Sequence, residues 1–190
     1  MRELRAPVTY AQYMNRKDEV RYEALNGEII SMSPSPTPRH QHIVGGLYTE
    51  LRLYMKGKPC RPFIAPIDVC LYGTSSMSDS EIKDWVQPDL LVVCDPSKIE
   101  ENRIVGAPDW IIEVLSPSTS KADRVQKYNA YARAGVKEYW IVDPYHEYID
   151  TFVLEGQRYR QHGTYFRTDP IRSQLFTDLY IDLNELFDSE

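Results

Sequence analysis

The amino-acid sequence predicts an α/β chain of the α+β kind, a mixed sheet with helices packed on it. Helical and strand-like segments interleave along the chain, an order that suits neither a helix bundle nor a β-sandwich. Two runs dense in β-branched and long apolar residues, Leu90–Cys94 and Trp110–Leu115, read as strands buried on both faces. Each of these carries or adjoins a carboxylate where burial is costly, and that mismatch is the strongest functional signal in the sequence.

At 190 residues the chain fits one domain, and its net charge of −6 offers no global attraction to nucleic acid. Contact with nucleic acid then has to come from local basic groups. Cys60, Cys70 and Cys94 each fall in or beside an apolar segment and form no CxxC pair. They are expected as buried reduced thiols rather than as a disulfide or zinc site. The N-terminus has no apolar stretch of signal-peptide length, and no run approaches the roughly 18 apolar residues that span a membrane. The expectation is a cytoplasmic protein with no membrane partner.

Thr9-Tyr10-Ala11-Gln12 matches a capping box, so a short helix is expected from Tyr10, ending before Tyr22. Tyr22–Leu25 and Glu28–Met32 flank Asn26-Gly27, the dipeptide that best tolerates a type I′ turn, and read as a hairpin. Glu23 and Glu28 are read as solvent-face residues of that hairpin ahead of any catalytic role. Ser31–Pro38 is a proline-rich irregular loop. Ile43, Leu47, Leu51 and Tyr54 then recur at helical spacing over His40–Met55. His40 and His42 in its first turn are expected to be solvated or capping, although a loop entering a helix is also where active sites gather side chains.

Arg61–Pro66 and Ile67–Tyr72 read as strands with a bend at Pro66, and Gly73–Lys83 as a polar loop. Trp85–Cys94 reads as one strand, partnered by Trp110–Leu115 after a turn at Gly106-Ala107-Pro108. Ser116-Pro117-Ser118 stops the second strand, and Ser118, Thr119 or Ser120 caps a helix over Lys121–Ala134 that Gly135 closes. Glu138–Val142 is a further strand. Tyr148–Leu154 and Arg158–His162 form a second hairpin around Glu155-Gly156-Gln157, and Asp182–Phe187 adds a helical turn.

Side chains alternate along an extended run, so Glu113 shares a face with Ile111 and Leu115. An ionised carboxylate there costs several kcal/mol unless a cation, a metal or several donors compensate it. Asp89 opens the preceding run. If the two strands are neighbours, both carboxylates converge at one edge as a hard-oxygen site suited to Mg²⁺ or Mn²⁺. The following helix places Lys127, Tyr131 and Ala134 on one stripe, with Arg124 a turn before Lys127. The blander reading makes Asp123 and Lys127 an exposed pair worth about 0.3–0.5 kcal/mol. Ser116 or Ser118 as a hydrolase nucleophile is a poor reading, since there is no GxSxG elbow.

Pro88-Asp89 followed by Glu113-Val114-Leu115 is similar to the Pro-Asp…(Asp/Glu)-x-Lys signature of restriction-endonuclease-like nucleases. More narrowly, the chain resembles the Uma-two family, classed as endonucleases. The resemblance runs through Tyr22-Glu23-Ala24-Leu25-Asn26-Gly27-Glu28, His40-Gln41, Ala65-Pro66-Ile67-Asp68-Val69, Gln87-Pro88-Asp89-Leu90, Gly106-Ala107-Pro108-Asp109, Glu113 to Ser118, and Tyr131 to Asp143. It covers roughly Tyr10 to Leu154. It implies a restriction-endonuclease-like core at about 22–143 with flanking helices and extra N- and C-terminal β-hairpins.

The resemblance also implies Mg²⁺-dependent (or Mn²⁺-dependent) hydrolysis of DNA phosphodiester bonds. Asp89, Glu113 and the backbone carbonyl of Val114 would hold the metal. Leu115 stands where the superfamily signature has its lysine, so the lysine is expected from the helix: Lys127, assisting the attacking water or stabilising the phosphate, with Lys121 as the weaker candidate. Gln87, His40 and Glu23 are expected around these ligands or on substrate. DNA is the expected partner, and Tyr148, Phe152 and Tyr159 of the second hairpin would form the surface of a homodimer. The alternative is a non-catalytic nucleic-acid-binding or structural module of the same fold, in which Glu113 simply pairs with Lys127.

Overall fold

The structure is a computed structural model and describes residues 7–17, 21–31, 36–116 and 122–188. Helix α1 (Tyr10–Met14) opens on the expected capping box, with the Thr9 hydroxyl accepting from Gln12 N–H and the Gln12 side chain accepting from Thr9 N–H. Strands β1 (Tyr22–Leu25) and β2 (Glu28–Ser31) form the expected hairpin. Asn26 and Gly27 adopt φ of 54° and 72°, the positive values a type I′ turn requires. Residues 32–35 of the proline-rich loop lie outside the described residues. Helix α2 (Pro38–Tyr54) is capped by Thr37 and starts on proline, which needs no donor there; it buries Ile43, Val44, Leu47 and Leu51.

Strands β3 (Arg61–Ile64) and β4 (Asp68–Cys70) part at the cis Ala65-Pro66 bond and enter different sheets. The single strand expected over Trp85–Cys94 is instead two, β5 (Trp85–Val86) and β6 (Leu90–Val93), again in different sheets. Pro88 explains the division, because it cannot donate to a ladder and restricts the residue before it. Gln87-Pro88-Asp89 therefore becomes the crossing between the two sheets.

Strands β7 (Arg103–Val105) and β8 (Trp110–Val114) follow, the turn between them using Gly106 at φ 80°. The helix expected over Lys121–Ala134 is a wider π-helical segment (Ala122–Lys127) that runs into α3 (Tyr128–Ala134), and left-handed Gly135 closes it. Lys121 and the expected caps Ser118, Thr119 and Ser120 lie outside the described residues. Strands β9 (Glu138–Asp143), β10 (Tyr148–Glu155), β11 (Arg158–Phe166), β12 (Ile171–Arg172) and β13 (Tyr180–Ile181) precede the last helix, α4 (Leu183–Phe187).

The central sheet has the order β11-β10-β9-β8-β6-β3, with β8 and β9 parallel and the other pairs antiparallel. A second sheet runs β2-β1-β5-β4-β7, and β12 pairs with β13. Alternation along the central strands feeds two cores. Leu90, Val92, Trp110, Ile112, Val114, Trp140 and Val142 pack with α2 and α4 on one face. Leu91, Val93, Ile111, Leu115, Tyr139 and Ile141 pack with α3 and with Leu25, Val69, Val86 and Ile104 of the second sheet on the other. Glu113 lies on this second face.

Two expectations fail here. Cys60 and Cys94 are not free thiols but a disulfide with Cα atoms 3.9 Å apart. The register Arg61↔Val93 puts the flanking cysteines directly opposite each other, an adjacency that a sequence separation of 34 conceals. Cys70 is buried and free, as expected. Tyr159 and Phe152 do not form an outer surface: Tyr159 is buried, Phe152 is partly buried, and both pack on Tyr128 and Tyr139. No helix among the described residues is long and apolar enough to cross a membrane.

Candidate active site

Strands β6 and β8 are antiparallel neighbours, with Leu90 opposite Ile112, so Asp89 and Glu113 meet at one end of the pair as the sequence predicts. Each carboxylate is tied to the other's strand. Val114 N–H donates to Asp89 Oδ2 at 2.8 Å, and Asp89 N–H donates more weakly to Glu113 Oε2 at 3.3 Å. These bonds fix both groups without occupying all their lone pairs.

The opposite oxygen of Glu113, Oε1, accepts from Lys127 Nζ at 3.0 Å and from the Tyr131 hydroxyl at 2.7 Å. Lys127 also contacts Glu23 Oε1 at 2.9 Å and Asp123 Oδ1 at 3.5 Å. Glu23, Glu113, Asp123 and Lys127 are all buried, so this is no exposed surface pair. The π-helical segment turns Asp123 and Lys127 inward while Val125 and Gln126 between them stay exposed. Glu23 is where the hairpin reading goes wrong. Expected on the solvent face, it is buried because that side of the hairpin packs against the central sheet and the π-helical segment that carries Lys127. Glu28 is exposed as expected.

His40 is likewise buried, not solvated. Thr37 caps its N–H, and its Nε2 lies 3.2 Å from Asp89 Oδ2. Its Nδ1 is buried without a hydrogen-bond partner among the described residues. His42 faces solvent. Gln87 joins from the sheet crossing, its N–H donating to Glu23 at 2.7 Å and its amide to Asp68 Oδ1 at 2.6 Å. The structure therefore gathers Asp89, Glu113, Val114, Lys127, Glu23, His40 and Gln87; Lys121 is outside the described residues. Tyr131 and Asp123 have a larger part than the sequence suggested. The signal for both was present: Asp123, Lys127 and Tyr131 recur at intervals of four, and the stripe that turns Lys127 inward turns all three.

The titration behaviour follows from this crowding. Burial, and then the charges of Asp123, Asp89 and Glu23, hold the Glu113 carboxyl well above the usual range even though Lys127 opposes them. Burial alone would push the Lys127 ammonium down, but Glu113, Glu23 and Asp123 more than offset it and keep it charged. His40 behaves the same way, its desolvation outweighed by the hydrogen bond and charge of Asp89 and by the Val114 carbonyl. Among the described residues, four carboxylates thus share one ammonium and one histidine. Among the described residues no three His, Cys, Asp or Glu side chains are gathered around one point as ready ligands. The donor chemistry nevertheless fits a hard divalent cation: surplus negative charge, carboxylate oxygens and a strand-end carbonyl.

The fold is restriction-endonuclease-like. The structure superposes on the crystal structure of a protein from Anabaena variabilis ATCC 29413, described as a "putative nuclease belonging to DUF820", with a TM-score of 0.74 at 19% identity over 95% of this chain and 98% of that one. The family model described as "Uma2: Putative restriction endonuclease" matches residues 7–184, and the chain belongs to that family. Similar relatives include two uncharacterized proteins of Synechocystis sp. One, slr1290, is 26% identical over 77% of this chain and 73% of its own length; the other, sll1609, is 24% identical over 80% and 83%.

Proposed function

We propose that the protein is a metal-dependent endonuclease that hydrolyses phosphodiester bonds of DNA. The observation that supports this most is the meeting of Asp89 and Glu113 at the end of β6 and β8, where the described residues include more carboxylates than cations. Asp89, Glu113 Oε2 and the Val114 carbonyl would hold Mg²⁺ or Mn²⁺. Such an ion supplies a more acidic bound water and stabilises charge on the phosphoryl group.

The chain's own residues do the remaining work. Lys127, charged and anchored by Glu113 and Glu23, supplies a fixed positive group beside the reacting phosphate. Tyr131 orients Glu113 through its hydroxyl, and Glu23 carries both Lys127 and the backbone of Gln87. His40 sits at the mouth of the site on Asp89, within reach of a substrate oxygen. Pairing of two copies and a cytoplasmic location belong to the same proposal. The outer strand β11 leaves an unpaired sheet edge for the first. Thiol labelling of Cys60 and Cys94 in cells bears on the second, because disulfides are rare in the cytosol.

Supercoiled plasmid incubated with Mg²⁺ or Mn²⁺ tests the reading: wild type should nick it, while Asp89→Asn and Glu113→Gln should not. Equal cleavage by both variants would remove these residues from the site. The 3.0 Å contact between Glu113 and Lys127 favours one other reading, a non-catalytic module in which that pair is structural. Calorimetric titration with Mn²⁺ separates the two, since the structural pair predicts no heat of binding.

A further inference from the structure

The face of the central sheet that carries Glu113 and Lys127 continues outward across β9, β10 and β11, and at its outer end it carries aromatic rings. Asp143 of β9 is opposite Tyr148 of β10, which is opposite Phe166 of β11; directly paired residues share a face. Asp143 lies two residues beyond Ile141, the partner of Glu113. Tyr148 and Phe166 are therefore on the active-site face, two and three strands from Glu113, or on the order of 10 and 15 Å at about 4.8 Å per strand.

The rings form a row. His146 and Tyr148 have centroids 6.4 Å apart, and Tyr148 and Phe166 5.8 Å apart, both pairs tilted. Phe166 is 55% exposed, and Tyr145 in the turn leading into the row is 57% exposed. Phe166, Tyr145 and the His146 ring are exposed, unlike the buried Tyr159 on the same hairpin, and Tyr148 between them is half-buried.

Arginine links the row to the site. Arg124, one turn before Lys127, donates to the Tyr148 hydroxyl at 2.8 Å and pairs with Asp150 at 3.2 Å and Asp143 at 3.8 Å. Arg39, next to His40, pairs with Glu147, and Arg167, next to Phe166, pairs with Glu147 and Asp188. Each of these cations already has a carboxylate partner, and the chain as a whole is acidic. Duplex DNA is held chiefly through its phosphates and needs surplus positive charge. Unpaired bases add stacking on aromatic rings to their phosphate contacts, so a surface whose cations are already paired gains from a single strand what it does not gain from a duplex.

We propose that His146, Tyr148 and Phe166, with Tyr145 at their edge, are a stacking platform for unpaired bases, and that the substrate is single-stranded DNA or DNA with an unpaired stretch beside the scissile phosphate. The proposal rests on the endonuclease reading for its link to cleavage, but the platform is tested without cleavage. Fluorescence anisotropy of a labelled 20-residue oligothymidylate and of a duplex of equal length, both with full-length protein in EDTA, measures binding alone.

The single strand should bind at least about tenfold more tightly than the duplex. Phe166→Ala and Tyr145→Ala should each weaken it by roughly 5- to 100-fold, the range of one base–aromatic stack. Phe166→Trp, which keeps a stacking face, should restore binding. Circular dichroism of each variant checks that the hairpin is intact. Equal affinity for duplex and single strand, or alanine variants that bind as wild type, would overturn the platform. So would a Phe166→Ala protein whose binding is unchanged while its sedimentation shifts from dimer to monomer, which would make the row a contact between copies. Aromatic-dependent binding in a protein that cleaves nothing would support the platform and sink the endonuclease reading. Metal-dependent cleavage unaffected by the alanine variants would do the reverse.

Discussion

Two carboxylates in neighbouring parallel strands are almost equally buried, and their surroundings differ completely. Glu138 at the start of β9 has no solvent exposure, and Glu113 in β8 has 3%. Glu138 accepts from Trp140 Nε1 at 2.7 Å, Ser173 Oγ at 2.8 Å, Leu175 N at 2.9 Å and Gln174 N at 3.0 Å, all neutral donors. These bonds pin the segment after β12 to the sheet and leave the charge fully solvated by fixed dipoles. Glu113 has one hydroxyl, one weak N–H and an ammonium shared with Glu23 and Asp123. Burial of a carboxylate is therefore not in itself a mark of function. Its neighbours decide: Glu138 is satisfied by neutral donors, whereas among the described residues Glu113 and its neighbouring carboxylates share one ammonium.

The harshest way to probe this contrast is Lys127→Met, which leaves Glu23, Glu113 and Asp123 buried together without their ammonium. Breaking one side of a buried ion pair costs about 3–5 kcal/mol, so the urea midpoint should fall by a corresponding amount. The loss should be larger at pH 8 than at pH 5, because carboxyls that lack a cation take up protons more readily in acid. A midpoint unchanged at both values would mean that Lys127 does not hold the cluster. Next in size is the effect on cleavage: Glu113→Gln keeps the shape but removes a charge, and Mn²⁺-dependent nicking should drop on the order of 100-fold or more. Glu138→Gln is the counterpart. It should cost about 1–3 kcal/mol of stability by presenting an NH₂ to donors, while cleavage per folded molecule stays near wild type. Comparable losses of cleavage in the two variants would erase the distinction.

Much of this was legible in the sequence, and what was not has identifiable causes. The hairpin turn at Asn26-Gly27, the capping box at Thr9 and the helix stop at Gly135 are dictated by a few local residues, and all three hold. Asp89 and Glu113 stood out because each interrupts or opens an apolar run. Glu138 sits at the head of an equally apolar run, yet its partners at 173–175 are some 35 positions away and leave no local trace. Glu23 has the same difficulty in reverse. Alternation along a hairpin tells which residues share a side but not that the central sheet and the π-helical segment will cover it, and the chain crosses from the second sheet to the central one where Pro88 divides Trp85–Cys94 between them. Cys60 and Cys94 meet through strand register, which composition and spacing do not express.

The smallest effect sharpens the contrast most, because it asks whether the Glu113 carboxyl differs in kind from an ordinary glutamate. Burial and the charges of Asp123, Asp89 and Glu23 hold it well above the ordinary value of 4.5. A group raised on folding contributes its stability in full below the unfolded value and loses it as pH rises through the folded one. Wild-type stability, measured from urea midpoints in EDTA, should therefore decline with rising pH on the alkaline side of 4.5, by no more than about 1.4 kcal/mol per pH unit for a single proton. Glu113→Gln has no proton to lose there, so its curve should be flatter over the same interval. Mn²⁺ should compress the wild-type slope as well, since a cation on Glu113 competes with the proton and favours the ionised carboxylate. Parallel curves for wild type and Glu113→Gln would mean that Lys127 alone neutralises Glu113. The site would then be an internally paired one, with no surplus charge for a metal to meet.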